Sequence, residues 1–174
     1  PLQILYLNAI NDVFPALALG LGEGGSDIMD RPPRDPAEPI LAGRHWGSIA
    51  GYGLLLAGSV LAGFVIGREV FGFSGPEAVT VSFLSIALGR LWHVFNMRDA
   101  DSPIFVNPVT RNAYVWMALL LSVVLILGAA YITPLADVLG IRAPGVGAWV
   151  LIAASSLVPL VVGQIVLALR KVCK

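Results

Sequence analysis

Three uncharged apolar segments, Trp46 to Ile66, Ala113 to Thr133 and Gly147 to Leu169, constrain this chain more than any other feature. Each is long enough, at about 1.5 Å per helical residue, to cross roughly 30 Å of hydrocarbon. A fourth stretch, Ala78 to Met97, is broken only by Arg90 and His93, and the opening stretch up to Gly20 only by Asp12. Lipid offers no partner to backbone N–H and C=O groups, so such segments must satisfy their own hydrogen bonds as helices. The chain therefore reads as an all-α polytopic membrane bundle of five transmembrane helices, at about 2–20, 46–66, 78–97, 113–133 and 147–169. With 57% hydrophobic and only 13% charged residues, no sizeable soluble domain is expected, and nothing asks for a nucleic-acid partner.

Basic residues set the expected orientation. Arg31, Arg34 and Arg44 precede the second span, Arg98 and Arg111 lie between the third and fourth, and Arg170, Lys171 and Lys174 end the chain, whereas the other two loops hold only Arg68 and Arg142. This bias makes the protein integral and multi-pass, with a cytoplasmic C-terminus and an external N-terminus. The four tryptophans, Trp46, Trp92, Trp116 and Trp149, fall near span ends, as an aromatic belt requires. The opening residues have neither a basic n-region nor a small-residue cleavage site, and the simplest expectation is a fragment with an upstream part. Cys173 has no internal disulfide partner.

Between the first two spans, at 21–45, Pro32, Pro33, Pro36 and Pro39 forbid a regular helix and predict a stiff charged loop. Such a loop suits docking or serves as a solvated connector. In the second span, Gly43, Gly47 and Gly51, then Gly63 and Gly67, present small residues for close helix contact.

The chemistry concentrates in the first span. A charge at the centre of a membrane helix costs on the order of 2.5 to 3.5 kcal/mol, so Asp12 is a candidate for ion handling. At about 100° per residue, Asn8, Asn11 and Asp12 fall within an arc of roughly 100°. They offer two amide carbonyls and a carboxylate, the oxygen donors that hard cations such as calcium prefer. Pro15 has no N–H for the Asn11 carbonyl, so the helix should loosen and present main-chain oxygen. Broken helices beside a carboxylate recur in transporter ion sites. The alternative is that these polar groups only bond neighbouring helices. Three ligands do not complete a calcium shell of about six to eight oxygens, so others must come from elsewhere.

Arg90 lies roughly 10 Å from the nearer end of its span, within reach of snorkelling to the interface. It is also placed to turn inward and pair with Asp12 as a built-in cation and site modulator. His93, one turn on, reads as an interfacial residue or as a proton-transfer group.

The opening PLQILYLNAINDVFPALALG and the loop DIMDRPPRDPAEPIL closely resemble the C-terminal membrane region of type II P-type cation-transporting ATPases, the calcium-pump group. WHVFNMR at 92–98 and SPIF at 102–105 resemble that family's eighth helix and the loop after it. The resemblance covers the whole chain, 1–174, as the sixth to tenth helices. It implies that Asn8 and Asp12 are cation ligands, and that Asn11 stands where calcium pumps often carry threonine. It further implies that Asp27, Asp30, Arg31 and Arg34 belong to a cytoplasmic loop coupling the membrane site to a phosphorylation domain. Arg90 falls at or near a position where related pumps carry glutamate or glutamine, which favours one transported ion or a proton-coupled variant. No Asp-Lys-Thr-Gly-Thr phosphorylation motif or Gly-rich phosphate loop occurs in these 174 residues, so ATP and magnesium would act only through upstream domains.

The expectation is the transport domain of an ATP-driven cation pump, calcium leading. Its partners would be the bilayer and the N-terminal helices and cytoplasmic domains of the same pump. A proton or monovalent-cation pump is the nearest rival, and a stand-alone five-helix binding or scaffold protein the alternative from another class.

Overall fold

A computed structural model describes residues 1–21, 43–97 and 107–172. The described residues form helices and connecting turns, with no strand among them. The first apolar stretch is two helices, α1 (Leu2–Asn11) and α2 (Val13–Gly20), meeting at Asp12. The second is one long helix, α3 (Gly43–Glu69), and the third is α4 (Gly75–His93), continued by a 3-10 turn at Val94–Met97. A single turn, α5 (Pro108–Arg111), leads into α6 (Ala113–Tyr131), then the short α7 (Thr133–Leu139) and the long α8 (Val146–Val172). Five of these stretches are long and apolar enough to cross a membrane: Leu2–Gly20, His45–Glu69, Gly75–Met97, Ala113–Tyr131 and Val146–Leu169.

Helix ends follow local chemistry. Ser74 and Glu77 cap α4 reciprocally, the Ser74 N–H donating to Glu77 Oε2 at 2.8 Å in a capping box that satisfies otherwise orphaned groups. Asn112 caps α6 by accepting from the Tyr114 N–H at 2.9 Å, and its side-chain amide donates to the Ala18 carbonyl at 2.9 Å. One residue thereby starts α6 and ties it to α2. The fourth span stops at Tyr131 rather than Thr133. The chain turns at Ile132, with Pro134 in the first turn of α7, where a missing N–H costs nothing. Gly140 ends α7 with φ of 64°, a left-handed cap that glycine adopts without steric penalty.

The core is built around α4. Of its apolar window 56% is buried, against 11% for α3, so α4 is the central helix and α3 a peripheral one. Val81, Leu84, Ala87 and Leu91 of α4 are fully buried and join Ile152 of α8, Val115 and Ile126 of α6 and Ile10 of α1 in one cluster. α4 packs against α3 and α8, and α2 against α6. Large apolar side chains such as Leu54, Leu120 and Met117 face outward, as expected of a fold whose solvent is lipid.

The glycine pattern of α3 divides in two. A Cβ on Gly63 would come within 2.4 Å of Ser155 Oγ on α8, and one on Gly67 within 3.0 Å of the Phe73 ring. Close approach does occur there. Gly43, Gly47 and Gly51 meet no atom of the described residues within 4 Å, so among these residues the close contact expected of the ladder is found only in the second half of α3, where it leans on α8.

Candidate ion site

The candidate site is assembled where α1 gives way to α2. Asp12 keeps right-handed helical backbone angles, φ −95° and ψ −38°, and its N–H reaches the Asn8 carbonyl at 3.2 Å. The interruption is thus a local loosening, not a turn. Pro15, buried three residues later, has no N–H to offer the Asn11 carbonyl.

The three polar residues of this stretch go to two places. Asn8 and Asp12 are exposed on the helix surface, and both meet Arg90 of α4. Arg90 Nη2 donates to Asp12 Oδ1 in an ion pair, and Nη1 lies 3.4 Å from Asn8 Oδ1, a long and weak contact. Of the two fates open to Arg90, pairing with Asp12 is the one observed. The guanidinium supplies the positive charge that a carboxylate at membrane depth requires, and it engages only one carboxylate oxygen.

Asn11 turns away from this pair. It is buried, and its Nδ2 donates to the Ala87 carbonyl of α4 at 3.0 Å. Its Oδ1 is buried and meets no donor among the described residues. A buried acceptor without a donor costs about 1–3 kcal/mol, so an oxygen left this way is poised for a water or a cation.

Asn11, Asp12, Pro15 and Arg90 line an open groove of about 870 Å³ between the broken helix, α3 and α4. Tyr52 and Ser48 of α3 and His93 of α4 complete its polar lining. Tyr52 and Ser48 were not singled out from the sequence, whereas His93 was read there as an interfacial or proton-transfer residue. The signal for His93 was its place one turn beyond Arg90, but a lone tyrosine or serine near a span end carries none. The Tyr52 ring stacks on His93 with centroids 3.7 Å apart and planes at 26°, and its hydroxyl donates to the Gly89 carbonyl at 3.3 Å.

Among the described residues no group of three His, Cys, Asp or Glu side chains is arranged to hold a metal. The oxygens present are one carboxylate, the Asn8 and Asn11 carbonyls and main chain near the break. These are the donor types that a hard cation takes, but the Asn11 side chain turns to Ala87 while Asn8 and Asp12 meet Arg90. Asp27, Asp30, Arg31 and Arg34 lie outside the described residues.

Residues 1–169 match the family described as cation transporting ATPase, C-terminus. The chain is 32% identical over 159 residues to a calcium-transporting ATPase of Bacillus subtilis (strain 168), covering 91% of this chain and 18% of that protein. It is 29% identical over 185 residues to calcium-transporting ATPase 1 of Bacillus cereus, covering 98% and 21%. Sodium/potassium exporting P-type ATPase 1 of Saccharomyces cerevisiae is 24% identical over 178 residues, covering 86% and 16%. The chain thus spans 18% and 21% of the lengths of the two bacterial relatives.

Proposed function

Because this chain belongs to the cation-transporting ATPase C-terminus family, we propose that it is the C-terminal half of the membrane domain of an ATP-driven cation pump, with calcium as the transported ion. The observation that carries this reading is the placement of Asp12 at a helix interruption, beside a groove, with its charge balanced by a side chain from another helix. A carboxylate that receives ions needs a route to it and a partner that keeps it from standing alone when empty.

In the reading we propose, Asp12 is the charged ligand, Asn8 and Asn11 are neutral ligands and Pro15 keeps main-chain oxygen near the break. Arg90 holds Oδ1 of Asp12 and leaves the other carboxylate oxygen to the cation, which favours one ion per cycle. The stretch 21–45, with Asp27, Asp30, Arg31 and Arg34, would couple helix movement to phosphorylation of a domain outside this chain, where ATP and magnesium act. By the same reading the five helices are the sixth to tenth of a type II pump, with the C-terminus in the cytoplasm. Two calcium-transporting relatives support the choice of ion. Family membership weighs against a stand-alone scaffold.

A second reading, a proton or monovalent-cation pump, is favoured by the Arg90–Asp12 pair itself, since a fixed guanidinium lowers the negative charge available to a divalent ion. The full-length protein in sealed vesicles, given ATP and calcium, manganese, sodium or a proton reporter in turn, separates the two. Calcium accumulation supports the first reading, and accumulation of sodium or protons alone replaces it with the second.

A further inference from the structure

The two halves of the first span are tied to the helices behind them at separate points, on opposite sides of Asp12. On the α1 side, Gln3 Nε2 donates to the Leu139 carbonyl at 2.7 Å and the Tyr6 hydroxyl to the Leu125 carbonyl at 2.7 Å. On the α2 side, Asn112 Nδ2 donates to the Ala18 carbonyl at 2.9 Å. Ala18 is buried in the last turn of α2, where carbonyls lack intrahelical partners, so the amide meets a group that the helix itself leaves open. The other end of the same amide, Oδ1, accepts from the Tyr114 N–H at 2.9 Å. The main chain of Asn112 is held as well, its N–H donating to the Val109 carbonyl at 3.3 Å and its carbonyl accepting from the Val115 N–H at 3.1 Å. Both ends of a planar group are committed, and turning it over would set oxygen against oxygen and N–H against N–H. Asn112 is a fixed post.

From this geometry we infer that Asn112 is a positioning residue for the Asp12 site, the post on which α2 hangs so that Asp12 and Pro15 face α4 in one arrangement. The inference rests on the cation-pump reading and adds to it a residue that touches no cation. α2 has only eight residues, about 12 Å of helix, with the loosened junction at one end and the Ala18 tie near the other. A short rod pinned near one end turns about its pin; with the pin withdrawn it shifts as a whole. Gln3 and Tyr6 fix α1, on the far side of the loosening, so they do not replace the tie. Pinned, α2 keeps the Asp12 carboxylate and the main-chain oxygens of the break at a set spacing beside Arg90. Unpinned, those oxygens spread over many spacings, and the cost of ordering them falls on the binding step. The loss is therefore one of affinity: once a cation has gathered its ligands, later steps find the same site.

The test reads two quantities in the full-length protein: the calcium concentration that half-saturates phosphoenzyme formation and the maximal level reached, with sodium in place of calcium if calcium does not activate the wild type. Asn112→Asp keeps an oxygen to cap α6 and turns a second oxygen, in place of the donor, toward the Ala18 carbonyl. Asn112→Ser also caps α6, lacks the second arm and adds no charge. Both are expected to raise the half-saturating cation about tenfold, the equivalent of one hydrogen bond, with the maximal level unchanged. Ser74→Ala, which removes the capping box of α4, controls for general destabilisation: it should lower the melting temperature and leave half-saturation where it was. An unchanged half-saturation in either Asn112 variant, or an equal shift in Ser74→Ala, makes Asn112 a helix cap alone and overturns the inference while the pump reading stands. Should one Asn112 variant fail to fold, the other decides. A wild type that no cation activates overturns the pump reading instead.

Discussion

The side-chain amide of Asn11 donates to the main-chain carbonyl of Ala87 across 3.0 Å, and this bond clamps the loosened helix onto α4. It also aims the other end of the amide, Oδ1, into a buried position with no donor among the described residues. Asn11→Ala removes both the clamp and the oxygen. Cation activation of phosphoenzyme formation in the full-length protein is expected to weaken about tenfold, the equivalent of one hydrogen bond or ligand contact. Asn11→Thr, which keeps an oxygen, should stay closer to the wild type in the same assay.

Asp12→Asn preserves shape and removes charge. Without the carboxylate, the groove holds only neutral oxygens beside the Arg90 guanidinium, a net repulsive site for any cation. We expect cation-dependent phosphorylation to require at least about 100-fold more ion, the upper range seen for disturbed metal shells. Phosphorylation at an unchanged ion concentration removes Asp12 from the ligand set.

Arg90→Gln frees Oδ1 of Asp12 and withdraws the built-in positive charge. Calcium should bind more tightly, by about tenfold, since a neighbouring charge of this kind commonly shifts such equilibria by a unit or more. Arg90→Glu adds a second carboxylate, and equilibrium binding of labelled calcium should rise from one toward two ions per phosphorylation site. Unaltered affinity and stoichiometry in both variants would make Arg90 a structural partner alone.

Gly63 and Gly47 lie on the same helix and should answer a methyl group differently. At Gly63 the added Cβ clashes with Ser155 Oγ and meets Ser155 Cβ at 3.3 Å, whereas at Gly47 no atom of the described residues lies within 4 Å. Gly63→Ala is expected to destabilise the detergent-solubilised protein by about 1–3 kcal/mol through overpacking. Gly47→Ala should leave the melting temperature unchanged or raise it, through the helix propensity of alanine.

The spans were legible because the bilayer sets a minimum length for an apolar run, and no soluble constraint competes with it. Asp12, Asn8 and Arg90 were legible as a group because charge in such surroundings needs a partner. Periodicity placed Asn11 on their face of the helix, yet it says nothing about the neighbour. Only the packing of α4 reveals that Asn11 turns inward to Ala87. The glycine ladder guided only in part for the same reason: spacing makes close contact possible, as at Gly63 and Gly67, and the packing of α3 against α8 decides where it happens. The break at Asp12 lies three residues before the proline that announced it, because losing the Pro15 N–H is felt one turn earlier. The Tyr52–His93 stack joins residues from two helices and has no local signature at all.

The unequal hold on α4 has a mechanical consequence. On one side α3 closes on Gly89, where Leu56 Cδ1 leaves only 2.7 Å for a Cβ, and α8 latches the tail of α4 through Gln164, whose Nε2 lies 2.7 Å from Asn96 Oδ1. On the other side the loosened first span meets α4 through Asn11 and Arg90, and α6 holds it through Tyr6, Ser122 and Asn112. Under load, α4 and α6 would hold the first span at two flanks while the loosened junction at Asp12 yields, so displacement would concentrate at the proposed ligands.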